Sequence, residues 1–358
     1  MENIYINGNF YNKLTGVQRY AREITRELDK IKRKDFDIFV VVPDKNIVDI
    51  EFNNLTIIEK RSFIKGVMWD YLVFSAFVRR KKGIAINFLN RPSIGCRHIV
   101  CLHDISCKVR PELHRGTKER IRGLWNTVNY YLITLFSNKI VTVSDFSKNE
   151  IIKNFKCLRN SNISVVYPSW QHMQRVCAFE GHIPEPLEEG AFYYSIGTLG
   201  ENKNMPWIFE VARRHPEEIF AIAGNGNLEK YKRYLETTNT TNVVFLGRVS
   251  DELNKKLMET CKAFLLPSLY EGFGLTPLEA IACGAKEIVV SDIPALREAY
   301  GNCAVYINPQ DAHSFDTKIC AVSNVKDVLN KYSWEQSAKL WIEIIEEFGQ
   351  GLYEAINN

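Results

Sequence analysis

Short apolar runs alternate with amphipathic stretches along most of the chain. The run DIFVVVP at residues 37–43 has an apolar centre, as in a strand buried on both faces of a parallel sheet. Residues 18–31 instead carry apolar side chains every three or four positions, which predicts a helix with Ala21, Ile24 and Leu28 on one face. Strands and helices that alternate in this way predict an α/β fold with parallel sheets.

The alternating pattern occurs twice, once in each half of the chain. The first series ends with ISVVYP at residues 163–168, and the second begins with YYSIGTL at residue 193. Between them the pattern is lost in a stretch that holds two prolines and several charges, which predicts a linker. Ligands bind beyond the carboxyl ends of parallel strands, so we expect the site in the cleft between two domains.

Four segments follow from this pattern. They are an N-terminal Rossmann-like domain at residues 1–168, a linker at 169–190, a C-terminal Rossmann-like domain at 191–332, and a helix at 333–358. We expect the helix to cross back to the first domain, with Trp334 as its anchor.

The stretch EGFGLTPLE carries two glutamates, Glu271 and Glu279, in a glycine-rich loop that follows an apolar run. Gly272 and Gly274 permit a tight turn and the close approach of a ligand. Thr276 and Glu279 have the spacing of a capping box, which predicts Thr276 as the N-cap and the next proline as the first helical residue. Such a helix start binds anions, and Glu271 has no capping role.

Charge is distributed unevenly along the chain. The first 165 residues have a net charge of +13 and the rest a net charge of −9, so the basic half favours an anionic partner. Basic clusters lie at residues 32–34 and 79–82. In the segment 115–139, basic residues precede apolar and aromatic ones. We expect its second half to be buried, whereas Arg115, Lys118, Arg120 and Arg122 are candidates for contact with a membrane surface.

Several features that the sequence lacks argue against particular classes of protein. No apolar run reaches 18 residues, and the N-terminus lacks the pattern of a signal peptide. Nine cysteines without a CxxC pair favour free thiols in a reducing compartment. Aromatic and basic residues do not interleave as in nucleic-acid-binding proteins. We therefore expect a cytoplasmic protein, peripheral to the inner face of the cell membrane, that binds no nucleic acid.

Two patterns that can indicate metal sites have simpler explanations. Asp35 and Asp37 form a D-x-D that follows a basic cluster and leads into a buried strand, which favours a solvated turn. The cysteines and histidines between residues 96 and 107 lack zinc-site spacing, and strand alternation would place them on opposite faces. We expect no metal site.

Six motifs resemble, in the same order, those of retaining glycosyltransferases with the GT-B fold, in the family-four group. They are Thr15-Gly-Val-Gln-Arg-Tyr20, His103-Asp-Ile-Ser106 with Pro111, Val143-Ser-Asp-Phe-Ser147, Gly197-Thr198-Leu199 with Lys203-Asn204, Phe245-Leu-Gly-Arg-Val-Ser250 and Glu271 to Ala280. The resemblance covers nearly the whole chain. It implies two Rossmann-like βαβ domains whose parallel sheets face a central cleft.

The resemblance also implies residue roles. Glu271 and His103 would be catalytic residues in contact with the transferred sugar, and Glu279 would bind the donor ribose. Lys203 would neutralise the diphosphate. The other donor-binding residues would be Gly16, Thr198, Asn204, Gly224, Arg248, Val249, Phe273, Gly274, Leu275 and Thr276. Arg19, Asp104 and Ser144 would lie on the acceptor side.

The implied reaction moves a hexose from a nucleotide-diphosphate sugar to a growing, lipid-linked glycan of a capsule or O-antigen, with retention. Fixed positive groups would stabilise the leaving diphosphate, so neither a metal nor a cofactor is expected. A carboxylate such as Glu271 would favour the oxocarbenium-like sugar.

Two alternatives remain open. The family commonly pairs the lysine with an arginine, either just after the glycine of the Gly-x-x segment or immediately before the lysine. This chain has Thr198 and Asn202 at those two positions. Arg248 and Arg19 are candidates for the second positive charge. The departure is compatible with a catalytically degenerate subunit that binds nucleotide sugars. The other alternative is a nucleotide-sugar epimerase on the same fold.

Overall fold

The computed structural model describes the chain except residues 1, 13, 14, 34, 115, 157–161, 199, 227, 318–324 and 358. Residues 34, 115 and 199, which belong to the basic clusters and the phosphate motif above, thus lie outside the described part. The chain divides into two compact units. The first contains Met1–Val109, Thr117–Pro168 and Trp334–Asn358, and the second contains Arg110–Gly116 and Ser169–Ser333.

The first unit is built on a seven-stranded parallel sheet. Its strands are β1 (Ile4–Asn7), β2 (Ile38–Val42), β3 (Thr56–Glu59), β4 (Ile84–Asn87), β5 (Arg97–Cys101), β6 (Lys139–Thr142) and β7 (Ile163–Val165). Their order is β3-β2-β1-β4-β5-β6-β7. The helices are α1 (Gly16–Lys30), α2 (Ser75–Lys81), α3 (Ser106–Val109), α4 (Thr117–Phe136) and α5 (Asp145–Asn154), and a π-helical turn, Trp69–Phe74, leads into α2.

The second unit contains a six-stranded parallel sheet. Its strands are β8 (Phe192–Ile196), β9 (Ile219–Ala223), β10 (Val243–Gly247), β11 (Ala263–Leu266), β12 (Ile288–Ser291) and β13 (Val305–Ile307), in the order β10-β9-β8-β11-β12-β13. The helices are α6 (Met205–Arg214), α7 (Leu228–Thr237), α8 (Asp251–Thr260), α9 (Leu275–Cys283), α10 (Pro294–Tyr300) and α11 (Asp327–Lys331). The prediction of two parallel-sheet α/β domains is therefore confirmed.

The C-terminal helix α12, Trp334–Asn357, packs on α1 within the first unit. Ala21, Ile24 and Leu28 of α1 are buried, as the periodicity predicts. The Trp341 indole N–H donates to the Tyr20 hydroxyl at 2.9 Å, and that hydroxyl donates to the Val166 carbonyl at 3.2 Å. Tyr20 thus connects both helices to the strand end after β7.

Helix α4 departs from the expectation that its second half is buried. Only one face packs inward, through Tyr130 and Ile133 among others. The opposite face stays exposed along the helix, because apolar side chains recur there at helical spacing as well. These exposed residues are Ile121, Leu124, Trp125, Val128, Tyr131, Leu135 and Phe136. No helix in the described part of the chain is both long and apolar enough to cross a membrane.

We predict that Tyr20→Phe destabilises the first unit. The substitution leaves the ring in the core but deprives the buried Trp341 N–H of its acceptor, at a cost of about 1–3 kcal/mol. We expect the thermal unfolding temperature to fall by several degrees, at roughly 2–4 °C per kcal/mol. Calorimetry measures this, with Tyr234→Phe, an exposed tyrosine of α7, as the control. Equal melting temperatures for the two variants would contradict this role for Tyr20.

Candidate active site

The strand order of the second sheet reverses between β8 and β11. In parallel sheets the loops that follow the two strands at such a point diverge and leave a crevice, where ligands bind. Here these loops are residues 197–204 and 267–274, which contain most of the residues that the sequence assigns to the donor.

Three contacts join the two loops of this crevice. The Leu269 amide donates to the Asn202 carbonyl at 2.8 Å. The Asn204 side-chain amide donates to the carbonyls of Pro267 at 3.0 Å and Pro309 at 2.8 Å. Asn204 has φ 56°, a left-handed conformation that asparagine tolerates better than most residues. The predicted donor residue Asn204 thus holds the ends of β8, β11 and β13 together.

The third contact is an ion pair between the Lys203 ammonium and the Glu271 carboxylate, 2.6 Å apart. Only 16% and 12% of the two side chains are exposed. The Lys203 side chain passes over Gly197, where an added Cβ would lie 3.4 Å from Lys203 Cε. The structure therefore brings two candidates from different motifs into direct contact at the switch point.

Gly224, at the end of β9, is required by backbone packing. Its φ is 139°, and a Cβ there would lie 1.7 Å from the Gly197 carbonyl oxygen. The Gly224 amide also donates to the Gly247 carbonyl at 2.7 Å. Thr198 and Arg248 are exposed beyond β8 and β10, and Val249, which follows Arg248, is partly exposed. These residues extend the same edge of the sheet.

The start of α9 corrects the prediction of a capping box. The helix begins at Leu275 with Gly274 as N-cap, and Thr276 Oγ1 is buried without a hydrogen-bond partner in the described structure. Gly274 has φ 84°, and a Cβ there would lie 2.4 Å from Leu296. The Tyr300 hydroxyl replaces the box, because it accepts from the Leu278 amide at 3.0 Å and donates to the Gly274 carbonyl.

Glu279 pairs with a histidine from outside its own helix. His172 Nε2 lies 2.8 Å from Glu279 Oε1, and both side chains are buried. His172 belongs to a 3-10 helix, Gln171–Arg175, inside the segment predicted as a linker. No sequence pattern predicts this contact, since the two residues are 107 positions apart and lie in unrelated patterns.

Phe273 and Leu275 border the same turn. The Phe273 ring is buried and lies edge-on to Tyr332, with ring centroids 5.1 Å apart, so its side chain belongs to the core. Leu275 is partly exposed as the first residue of α9. The predicted ligand contacts of these residues involve their backbone amides.

In the first unit, His103 follows β5 and is almost fully buried. Its Nε2 lies 2.9 Å from the Phe88 carbonyl, which requires a proton on Nε2 and leaves Nδ1 as an acceptor in the neutral ring. Burial lowers the pKa of His103, against smaller opposing effects of the Phe88 carbonyl and Asp104. The imidazole is thus held neutral at physiological pH.

The two other candidates on this edge of the first sheet cap helices. Asp104 Oδ1 accepts from the Ser106 amide at 2.8 Å, at the start of α3. Ser144 Oγ accepts from the Ser147 amide at 3.0 Å and caps α5. Both contacts give these residues a structural role in shaping the loops after β5 and β6.

Gly16 and Arg19 lie in the first turn of α1. A Cβ on Gly16 would meet no described atom within 4 Å, so the space beside this helix start is open. The Arg19 amide donates to the Thr15 carbonyl at 2.8 Å, and its side chain is partly exposed.

A cavity of about 650 Å³ lies beyond the carboxyl ends of the first sheet, lined by residues that follow β1, β2, β3 and β4. Asn9, Gln18, Lys65 and Arg91 are among its lining residues. The buried Asp70 carboxylate accepts from Asn7 at 3.0 Å, from Asn9 at 2.8 Å and from Arg91. Asp70 therefore fixes two of the side chains around the cavity. No motif in the sequence predicts this role, because Asp70 lies in the π-helical turn.

Within the described residues, no group of three or more His, Cys, Asp or Glu side chains is placed to bind a metal ion.

Residues 182–335 match the family model described as "Glycosyl transferases group 1". O-antigen chain mannosyltransferase B of Escherichia coli is 28% identical over 245 residues, covering 62% of this chain and 60% of the relative. O-antigen chain mannosyltransferase RfbU of Salmonella typhimurium is 25% identical over 198 residues, covering 54% and 53%. The alignments thus span between about half and three fifths of these curated relatives.

Solved structures share the fold along the whole chain. Anabaena Alr3699/HepE, in complex with UDP and glucose, superposes with a TM-score of 0.70 at 16% identity, over 97% of this chain and 99% of that one. Sucrose-phosphate synthase of Thermosynechococcus elongatus gives 0.63 at 14% identity, over 99% of both. The chain therefore has the GT-B fold, and residues 182–335 form a domain of the glycosyl transferases group 1 family.

Proposed function

We propose that the protein is a retaining glycosyltransferase that moves a hexose from a nucleotide-diphosphate sugar to a growing, lipid-linked glycan of a surface polysaccharide. The observation that carries the proposal is the Lys203–Glu271 pair at the switch point of the second sheet. The similarity to two O-antigen mannosyltransferases supports a surface glycan as the product and makes mannose the first hexose to test.

The donor diphosphate would bind at the start of α9. The helix N-terminus offers positive electrostatic potential, and the Lys203 ammonium adds a full charge beside it. Thr276 Oγ1, buried without a partner among the described residues, would gain a hydrogen bond from a bound donor. The amides of Phe273, Gly274 and Leu275 would complete the cradle.

In the proposed reaction, the bond between the sugar C1 and the diphosphate oxygen breaks, and the acceptor hydroxyl oxygen forms a new bond to C1 on the same face. The acceptor proton passes to the departing phosphate oxygen. Lys203 would stabilise the negative charge that develops on the leaving group, and Glu271 would stabilise the positive charge at the sugar ring. These fixed charges act without a metal or another cofactor.

Further contacts with the nucleotide and the sugar are proposed for six other residues. Glu279 would bind the ribose hydroxyls, held in place by His172. The nucleotide would be bordered by Gly224, Thr198, Arg248 and Val249. Of the two arginines that are candidates for the missing positive charge, Arg248 is the one in the second unit. The neutral His103 would accept a hydrogen bond from the transferred sugar at Nδ1.

The acceptor would bind in the cavity of the first unit. Its amide side chains suit sugar hydroxyls, and Lys65 and Arg91 suit a phosphate group of the lipid carrier. Gly16 and Arg19, at the start of α1, lie beside Gln18 of this cavity. Asp104 and Ser144 would act on the acceptor side by holding the loops that they cap.

We predict that Lys203→Ala and Glu271→Gln each lower the turnover number for sugar transfer by about 10²–10³-fold, the usual effect of removing a fixed charge from a transition state. The matched control is the pair of Lys262 and Glu218 in the same unit. Lys262 precedes β11 and so lies at the opposite edge of the sheet. Lys262→Ala and Glu218→Gln should therefore transfer sugar like the native protein.

The assay uses a panel of nucleotide-diphosphate sugars and measures both transfer and release of the nucleoside diphosphate. Full activity in both site variants would show that the pair is not the active site. Binding of a nucleotide sugar without any release would instead indicate a partner subunit. Conversion of one nucleotide sugar into another without an acceptor would indicate an epimerase.

We predict that Glu279→Gln removes the preference for ribose in the nucleoside diphosphate. The native protein should bind the nucleoside diphosphate at least tenfold more tightly than its 2′,3′-dideoxy analogue, because hydrogen bonds to a carboxylate are worth about 1.5–3 kcal/mol. The variant should bind both forms equally. Calorimetric titration measures the four affinities, after a thermal-shift screen of UDP, GDP, ADP and CDP has chosen the base.

Glu236→Gln, on the exposed side of α7, is the control and should retain the preference for ribose. A native protein that binds the two analogues equally would overturn the assignment of Glu279. If none of the four nucleotides raises the melting temperature, the donor site itself is refuted.

We predict that His172→Phe raises the KM for the donor about tenfold with little change in turnover, since it removes the partner that orients Glu279. His172→Gln, which keeps an N–H donor, should restore most of the loss. Steady-state kinetics at several donor concentrations separate the two constants. An equal fall in turnover with both substitutions would indicate a general structural defect instead.

A further inference from the structure

Exposed apolar side chains are concentrated in one stretch of the first unit. Among the described residues, the large apolar side chains that are exposed to solvent all lie between residues 63 and 136, except those of Tyr234 and Leu340. Large exposed apolar patches on a soluble fold mark surfaces that bind another molecule. The concentration therefore indicates a surface that binds another molecule.

Helix α4 supplies the longest part of this surface. Leu124, Val128, Tyr131 and Leu135 are exposed at successive turns, and Trp125 lies beside Leu124. Buried residues such as Tyr130 and Ile133 occupy the opposite face, so the helix has its inward contacts already. The outer face is thus an apolar stripe several turns long.

The π-helical turn before α2 extends the stripe. The Tyr71 ring lies edge-on to Trp125, with centroids 6.3 Å apart, and the Tyr71 hydroxyl bonds to Asn129. Two neighbours of Tyr71 in sequence are also exposed: Met68, which precedes the π-helical turn, and Leu72, which lies within it. We call Met68, Leu72, Leu124, Trp125 and Val128, together with Phe63, the apolar face.

Phe63 is the most exposed of these residues, at the tip of the loop that follows β3. It stands between Arg61 and Lys65, which also line the cavity of the first unit. The loop after β3 therefore carries both the exposed Phe63 ring and two cations that line the cavity.

Cations border the apolar face. Lys118 and Arg120 are exposed in the first turn of α4, and on a helical projection they fall on opposite sides of the stripe. Two copies of the chain that paired through this face would bring like charges together, because a two-fold interface uses the same patch on both sides. Anionic lipid headgroups complement the cations, and acyl chains accept the apolar side chains.

We propose that the apolar face binds the surface of an anionic lipid bilayer, with Phe63, Leu124 and Val128 inserted below the headgroups. The cavity behind the Phe63 loop would then open at the headgroup level, where the phosphate of a membrane-anchored acceptor lies. The binding itself depends only on the first unit and does not require the proposed transferase reaction.

The test is co-sedimentation of the full chain with vesicles of phosphatidylglycerol or of phosphatidylcholine. We expect binding to phosphatidylglycerol vesicles that weakens as salt is added. The double variant Leu124→Glu/Val128→Glu should lose at least tenfold in vesicle affinity. Lys118→Glu and Arg120→Glu should each lose about fivefold or more, the usual effect of one cation near an anionic surface.

Leu340→Glu is the matched control, since Leu340 is 41% exposed on α12 of the same unit but lies outside the apolar face. It should bind vesicles like the native chain. Melting temperatures check that each variant is folded, and Phe63→Ser, on an exposed loop, provides a second apolar-face variant if the double variant fails to fold. Phe63→Ser should also weaken vesicle binding.

Three results would overturn the proposal. The first is that the native chain does not bind vesicles. The second is that the native chain and the folded apolar-face variants bind vesicles equally. The third is that light scattering shows the native chain as a dimer and the double variant as a monomer. Nucleoside-diphosphate binding is measured in the same samples. If it persists when vesicle binding is lost, only the membrane surface has been affected and the proposed transferase function stands.

Discussion

The edge of the second sheet that carries the candidate donor residues depends on the side-chain amide of Asn204. Parallel strands end in carbonyl groups that no neighbouring strand satisfies, and a crevice between diverging loops leaves more of them. Asn204 donates to two such carbonyls, on the loops after β11 and β13, while its own backbone takes a left-handed turn into α6. That turn places Lys203 over Gly197 and against Glu271.

The Lys203–Glu271 pair is difficult to explain by stability alone. Both side chains are largely removed from water, so their desolvation offsets much of the attraction between them. A pair of apolar residues of similar size would serve the core at least as well. A diphosphate beside Lys203 and a developing positive charge beside Glu271 would each use one half of the pair. The arrangement is therefore better explained by ligand chemistry than by folding.

Periodicity was sufficient for the outline of the fold, because long apolar runs and helical spacing depend on local sequence. The buried face of α1 and the strands β2, β8 and β11 follow directly from such patterns. Strand β3 was missed, since four residues at a sheet edge with partial burial leave almost no pattern. The order of the strands and the switch points depend on contacts between distant residues, which the pattern does not contain.

The capping box shows the same limit within the site. Thr276 and Glu279 have the spacing of a capping box, but contacts with residues distant in sequence replace those that the box would make. Tyr300 satisfies the helix amide, and His172 takes the carboxylate. Both partners come from segments without a relevant motif. The local motif therefore predicts a candidate site whose residues still await a test, whereas the capping box that it suggested was wrong.

Helix α4 raises the opposite problem, since its sequence is apolar on two faces and no periodicity can decide which one packs inward. Packing against the sheet determines which face is buried. Tyr130 and Ile133 pack beside β5 and β6, and Leu124 and Val128 remain exposed. An apolar stripe left outside would be removed by selection for solubility unless something covers it. Phe63, which belongs to the apolar face, lies in the same loop as Arg61 and Lys65, which line the polar cavity of this unit. The proposed lipid-linked acceptor has both an apolar and an anionic part, and the apolar face and the cavity would each suit one of them.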